Sequence, residues 1–249
     1  MSVCKVISHR GANKQAPQNT IPAFEKSLEI GVDGFETDVH MSRDGVPVIC
    51  HNYTIDETSN GIGAISDMTL EQLRSYDFGS YFHDEFRGTK LPTLDEFLTL
   101  CATADIEIMN IELKTPLSGE KGIVKETLAA VKEHGLFDKL LISSFSPELL
   151  VECKRLDPAC KTGFLYSPDR KITYKKMLFG YVEFAKEIGA EYLHPHFSKH
   201  YVKKLHDNGI GINVWTVDGD GIAKRMLDCG VDGIITNVPD MINALVERY

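Results

Sequence analysis

Gly31-Val32-Asp33-Gly34-Phe35-Glu36-Thr37-Asp38-Val39 decides the fold, because nearly the same words return near the other end of the chain as Gly230-Val231-Asp232-Gly233-Ile234-Ile235-Thr236-Asn237. In both places an amphipathic stretch (23–30 and 222–229) is closed by glycine and followed by a short apolar run. The form recurs where 182–188 precedes Gly189 and Tyr192-Leu193-His194, where 201–207 precedes Gly209 and Ile212-Asn213-Val214-Trp215, and where 124–133 precedes Gly135. Glycine after a helix adopts the left-handed cap, and four to six apolar residues after it suit a strand buried in a parallel sheet. The repeated phrase therefore marks helix-to-strand joints.

Extending this reading predicts strands at 4–8, 35–39, 106–113, 140–145, 162–166, 192–194, 212–217 and 233–236. Strands alternating with helices in this number are the α/β pattern of a (β/α)8 barrel, and a chain of 249 residues suits one such barrel. A doubly wound open sheet would carry a glycine-rich dinucleotide turn after its first strand, where His9-Arg10-Gly11 stands instead. One domain over 1–249 is expected, with a small insertion after strand two. That insertion runs from about 52 to 91: it follows the turn Arg43-Asp44-Gly45 and the run Val46-Pro47-Val48-Ile49-Cys50-His51, is polar and turn-rich (Thr58-Ser59-Asn60-Gly61-Ile62-Gly63), and contains no βα unit. Its one helical signal is Leu70-Glu71-Gln72-Leu73, with Ser66-Asp67 as the expected cap.

The composition is that of a globular protein, 43% hydrophobic and 25% charged. Lys and Arg number 27 against 36 Asp and Glu, a net charge of −9 that opposes binding to nucleic acid or anionic lipid. The cluster from Lys171 to Lys176 is too interrupted by Ile172, Thr173 and Tyr174 to be a nucleic-acid patch. No apolar run approaches a membrane span, and Met1 to His9 is too short for a signal-peptide core, so a cytoplasmic chain without an integral membrane segment is expected. Six cysteines without metal-binding spacing predict free thiols. A homo-oligomer is left open.

Barrel catalytic residues project from the C-terminal ends of strands. Here those ends are polar: His9-Arg10 after strand one, Glu36 and Asp38 on strand two, His51 after the hairpin, Glu112 and Lys114 on strand three, and Trp215 at the end of strand seven. Strand alternation puts Glu36 and Asp38 on one face, and Glu112 and Lys114 on one face. Three carboxylates at one mouth would repel by roughly 4 kcal/mol per pair at about 4 Å and an effective dielectric of about 20. Either a hard divalent cation such as Mg²⁺ or Ca²⁺ sits among them, or they protonate or pair with Lys114 and Arg10. A histidine pair, His9 and His51, can serve as general base and acid, and Arg10 and Lys114 can bind a phosphate. Glu112 and Lys114 also read as an internal ion pair, and Trp215 as barrel packing or a substrate wall. Gly11 fits a close backbone approach to a ligand or a simple turn. His194-Pro195-His196 is similar to paired metal-binding histidines, but His200 and His206 fall on a lysine-bearing helix face with Lys199, Lys203 and Lys204. His196 is retained as a substrate-contact candidate.

The run His9-Arg10-Gly11, Pro17-Gln18-Asn19-Thr20, Ala23-Phe24, Gly31 to Val39, Asp44-Gly45-Val46-Pro47-Val48 and His51 resembles the glycerophosphodiester phosphodiesterase family, a group of metal-dependent TIM barrels. The resemblance continues through 58–61, Pro92-Thr93-Leu94, Glu112-Leu113-Lys114, Ser144-Phe145-Ser146, Val214-Trp215-Thr216-Val217 and Gly233 to Asn237. It implies that Glu36, Asp38 and Glu112 hold one divalent cation, that His9 and His51 are acid and base, and that Arg10 and Lys114 bind the phosphate of a small glycerophosphodiester cleaved to sn-glycerol 3-phosphate and an alcohol. Lys14, Gln15 and His40 depart from the family pattern beside these positions and bear on substrate preference. Three alternatives remain: a lysophospholipase D-like enzyme with an apolar rim, a metal-free lyase forming a Schiff base on Lys114, and a non-catalytic phosphodiester-binding protein.

Overall fold

The computed structural model describes residues 4–115, 122–167, 171–196 and 202–249, with the backbone alone for 171–179. The first half runs β1 (Lys5–His9), α1 (Ile21–Ile30), β2 (Gly34–Met41), β3 (Pro47–Ile49), α2 (Leu70–Leu73), α3 (Leu94–Thr103), β4 (Ile108–Leu113) and α4 (Ile123–Glu133). It continues as β5 (Leu140–Ser144), α5 (Pro147–Leu156), β6 (Lys161–Tyr166), α6 (Lys171–Ile188), β7 (Tyr192–Pro195), α7 (Val202–His206), β8 (Gly211–Val214), α8 (Asp220–Cys229), β9 (Gly233–Thr236) and α9 (Pro239–Val246). All of the strands but β3 pair in parallel with their neighbours, and β9 returns to β1, which closes a (β/α)8 TIM barrel. No helix among the described residues is long and apolar enough to cross a membrane.

Each residue of the repeated phrase has its own task. Gly31 and Gly230 take φ of 79° and 76° and cap α1 and α8 in the left-handed region. Val32 and Val231 are buried. Asp33 Oδ2 accepts the Val6 N–H (2.7 Å) while the Asp33 N–H donates to the Val6 carbonyl (3.0 Å). Asp232 repeats both bonds on Ile212, at 2.7 and 2.9 Å, and Glu191 repeats them on Thr162, at 2.9 and 3.0 Å. These carboxylates pin neighbouring strands at the N-terminal end of the barrel. Gly34 and Gly233 have no room for a side chain, since a Cβ would lie 2.3 Å from the Ile108 carbonyl oxygen and 2.5 Å from Asn213 Oδ1. Replacing Asp232 by alanine strands the Ile212 N–H and is expected to lower stability by about 1–3 kcal/mol. The check is a lower urea midpoint with an unchanged slope.

Several boundaries differ from the sequence reading. The strand predicted from 106 begins at Ile108, and the one predicted to reach 217 ends at Val214, where Trp215 makes only an isolated bridge to His196. The helical stretch 182–188 is the later part of α6, which is interrupted at Gly180. In the insertion, Ser66 and Asp67 do not cap α2: they lie in a 3-10 turn, and Thr69 forms a capping box with Gln72. Residues between β3 and α3 gather an apolar cluster of their own around Ile55, Ile65, Leu73 and Phe78. All six cysteines are free thiols, and all but Cys229 are buried. Lys199 and His200 lie outside the described residues, as do the side chains from Lys171 to Lys176. His206 bonds Asp232 at 2.9 Å and so braces one strand pin.

Candidate active site

The barrel register sets the levels of the site. Asp38 pairs with Glu112 across β2 and β4, and Glu36 pairs with Asn110 one pleat step nearer the N-terminal end and with His9 on β1. These same-face side chains point to the barrel axis. The hairpin through Gly45 folds β3 antiparallel onto β2, Cys50 N–H donates to the Asp38 carbonyl (3.1 Å), and His51 thereby reaches the mouth. His9, Arg10, Glu36, His51, Glu112, Lys114 and Trp215 all line one cavity of about 460 Å³, a volume suited to a small molecule. Asp38 sits fully buried behind this lining, held by Lys114 Nζ at 2.7 Å and by the Asn19 amide at 2.8 Å.

Carboxylate oxygens of Glu36, Asp38 and Glu112 lie within 4.8 Å of one another, and all three residues are buried. Lys114 also bonds Glu112 at 2.6 Å, and the Arg10 Nε is 3.5 Å from Asp38. Burial alone would raise the Asp38 carboxyl, but Lys114 and Arg10 outweigh it and hold it well below the usual carboxylate range. Glu36 is driven the other way, first by burial and then by the charges of Asp38 and Glu112. Glu112 is also raised by burial, which Lys114 only partly offsets. Three carboxylates thus face two cations, and Glu36 is the one left short. An all-oxygen donor set one positive charge short is the chemistry that a hard divalent cation satisfies, so these residues fit such an ion.

The two histidines are held by matching devices. His9 Nδ1 is 2.7 Å from Asn237 Oδ1, and the Asn237 amide nitrogen donates to Asp218 (2.6 Å). Since the ionised Asp218 only accepts, the Asn237 oxygen must face His9, and His9 Nδ1 must carry the proton. His51 Nδ1 is likewise 2.6 Å from Asn52 Oδ1, with the Asn52 amide donating to Glu57 at 2.8 Å. Both imidazoles therefore keep Nδ1 protonated and leave Nε2 as the nitrogen free to take or give a proton. Burial, and then the Arg10 charge, pushes the His9 pKa down to about 3. Burial also lowers that of His51, helped by Lys114 and Arg10.

Arg10 occupies the left-handed region at φ 58°, a cost on the order of 1–2 kcal/mol. That turn lets its N–H bond Glu36 Oε2 (3.2 Å) while its guanidinium bonds Gln18 (2.8 Å). Gly11 serves packing, not a ligand, because a Cβ there would lie 2.7 Å from the backbone of Ala23 in α1. On the opposite wall Trp215 is oriented by its N–H to the His194 carbonyl (2.7 Å) and meets Phe145 edge to face at 5.6 Å. His196 does not line the cavity but packs edge-on against Trp215. His40, buried, faces Tyr53 and the His51 carbonyl. The insertion contributes Asn52, Tyr53, Thr54 and Glu57 to the lining.

Sequence reasoning assigned no role to Asn237, Asn52, Asp218, Glu57 or Asn110. Only Asn110 carried a usable signal, being on the same strand face as Glu112 and Lys114. Two alternatives lose ground. A Schiff-base lysine needs a lowered pKa, whereas the ion pairs with Asp38 and Glu112 override the opposing effect of burial and raise that of Lys114. The exposed large apolar residues among those described, Ile62, Tyr81, Val151, Leu156 and Tyr249, do not line the cavity.

The chain matches the profile of the glycerophosphoryl diester phosphodiesterase family over residues 9–241. It is 36% identical over 249 residues to a glycerophosphodiester phosphodiesterase of Caldanaerobacter subterraneus subsp. tengcongensis, covering 98% of each chain. Among solved structures, a phosphodiesterase of Oleispira antarctica in complex with the product sn-glycerol-3-phosphate superposes with a TM-score of 0.83 at 27% identity, covering 98% of this chain and 97% of that one. A glycerophosphodiester phosphodiesterase of Agrobacterium tumefaciens gives a TM-score of 0.82 at 26% identity, covering 97% of this chain and 99% of that one.

Proposed function

The chain belongs to the glycerophosphoryl diester phosphodiesterase family, and from that premise we propose that it hydrolyses small glycerophosphodiesters to sn-glycerol 3-phosphate and an alcohol with the help of one divalent cation, Mg²⁺ or Ca²⁺. The observation that carries this reading is the convergence of three buried carboxylates, Asp38 just behind the lining, with two oriented histidines and the basic side chains of Arg10 and Lys114 at one cavity. The chain works as one barrel domain, with the inserted segment at about 52–91 as a wall of the site.

Glu36, Asp38 and Glu112 would hold the cation, which would supply Lewis-acid polarisation of the phosphate. Arg10 and Lys114 bind the phosphate oxygens, and Lys114 stays charged because Asp38 and Glu112 flank it. One histidine accepts at Nε2 the proton of the attacking hydroxyl, which is water's or the glycerol 2-hydroxyl. The other enters the step as the imidazolium, with a second proton taken up from solvent at Nε2, and delivers that proton to the departing alkoxide, so that each ring ends with the charge the other began with. Asn237 and Asn52 keep the two rings in the tautomer that leaves Nε2 available. Trp215 and Phe145 exclude water from the apolar side.

The test is product identification with glycerophosphocholine and glycerophosphoethanolamine in the presence of Mg²⁺ or Ca²⁺. Enzymatically detected sn-glycerol 3-phosphate together with free choline or ethanolamine is the expected outcome. Cleavage on the other side of the phosphorus, giving glycerol and phosphocholine, would contradict the reading, as would no cleavage at all. A 2-deoxy substrate cleaved at the normal rate assigns the attack to water.

A further inference from the structure

Asn110 has no role in the chemistry above, yet it lines the same cavity, in register with Glu36 and His9. It lies on β4 two residues before Glu112, level with Glu36 and one pleat step farther from the mouth than the Asp38 and Glu112 pair. Its side chain is 1% exposed and lines the cavity, and neither its amide nitrogen nor its amide oxygen has a hydrogen-bond partner in the protein. Leu165 and Ile235, both buried and apolar, line the cavity as well. A buried amide without partners costs more than an apolar side chain of the same size, so its retention there calls for a ligand that completes it. A neutral amide offers one donor face and one acceptor face, which complements a hydroxyl and discriminates against a charged group.

We propose that Asn110 binds the terminal hydroxyl of the substrate's glycerol, the one farthest from the phosphate, on the side of the carboxylates away from the mouth. This rests on the phosphodiesterase reading. With the phosphate held between Arg10 and Lys114 at the upper level, the invariant glycerol points down to Asn110 and the variable alcohol points out of the mouth. Asn110 is then a specificity residue: it makes the enzyme select glycerol diesters over diesters of shorter or deoxygenated alcohols.

The test compares kcat/KM, read as choline release, for glycerophosphocholine and for the phosphocholine diester of 1,2-propanediol, which lacks only that hydroxyl. The wild-type protein is expected to prefer the glycerol diester by about 10- to 100-fold. Asn110→Ala and the similar-sized Asn110→Leu lose this preference. Both fall on glycerophosphocholine to the level that the wild type shows on the propanediol diester, and the Mg²⁺ concentration for half-activation is unchanged. Agreement between the two variants keeps the result clear of a folding defect in either. A wild-type enzyme indifferent to the hydroxyl, variants that keep the preference, or a shifted Mg²⁺ requirement overturns the assignment and leaves the phosphodiesterase reading standing. Release of choline from neither diester by the wild type overturns both.

Discussion

Replacing His51 by alanine is expected to lower kcat on glycerophosphocholine by about 10²- to 10⁴-fold, and His9→Ala to do the same. Each ring is fixed at Nδ1 by an asparagine whose own amide is locked by a carboxylate, so each offers Nε2 alone for proton transfer. Neither alanine can pass a proton, and no other imidazole among the residues lining the cavity can take over. The pH profile separates the two roles. Loss of the base abolishes the fall in rate at low pH, and loss of the acid abolishes the fall at high pH. Steady-state kinetics from acid to alkaline pH on both variants is the check, and a variant within tenfold of wild type removes that histidine from the chemistry.

Lys114→Met is expected to act on stability and activity together. Lys114 is buried, 2.7 Å from Asp38 and 2.6 Å from Glu112, and its loss leaves both carboxylates beside a third, Glu36. Removing one partner from a buried ion pair costs about 3–5 kcal/mol. A divalent cation opposes the same repulsion, so the loss in unfolding free energy is expected to be larger in EDTA than in Mg²⁺. Activity in Mg²⁺ falls as well, because the phosphate loses one of its two cationic partners. Equal destabilisation with and without Mg²⁺ would detach Lys114 from the carboxylate cluster's charge balance.

What could be read in the sequence was what glycine and strand alternation mark. The Gly-Val-Asp-Gly phrase located the joints before β2 and β9, and glycine did the same before β5, β7 and β8. Helices α3 and α5 escaped because they end on Ala104 and Asp157 in extended conformations, without glycine. Their starts were nevertheless written in the chain, as the Thr93–Glu96 capping box and as Ser146 before Pro147. At the site, Glu36, Asp38, Glu112 and Lys114 were legible because buried charge on an inward strand face has few structural excuses. Asn237 was not, since it lies 228 residues from His9 and a neutral amide at a strand end looks like any turn residue. Asn52, although adjacent to His51, is likewise a neutral amide that looks like any turn residue.

On the function proposed above, the three carboxylates work through a divalent cation. The measurement that addresses it most directly is the initial rate of sn-glycerol 3-phosphate release from glycerophosphocholine by protein stripped with EDTA and dialysed, before and after Mg²⁺ or Ca²⁺ is restored. Release that is absent from the stripped protein and returns with one of these ions is the predicted result. Undiminished release from the stripped protein would contradict it, and would leave Glu36, Asp38 and Glu112 without the role assigned to them.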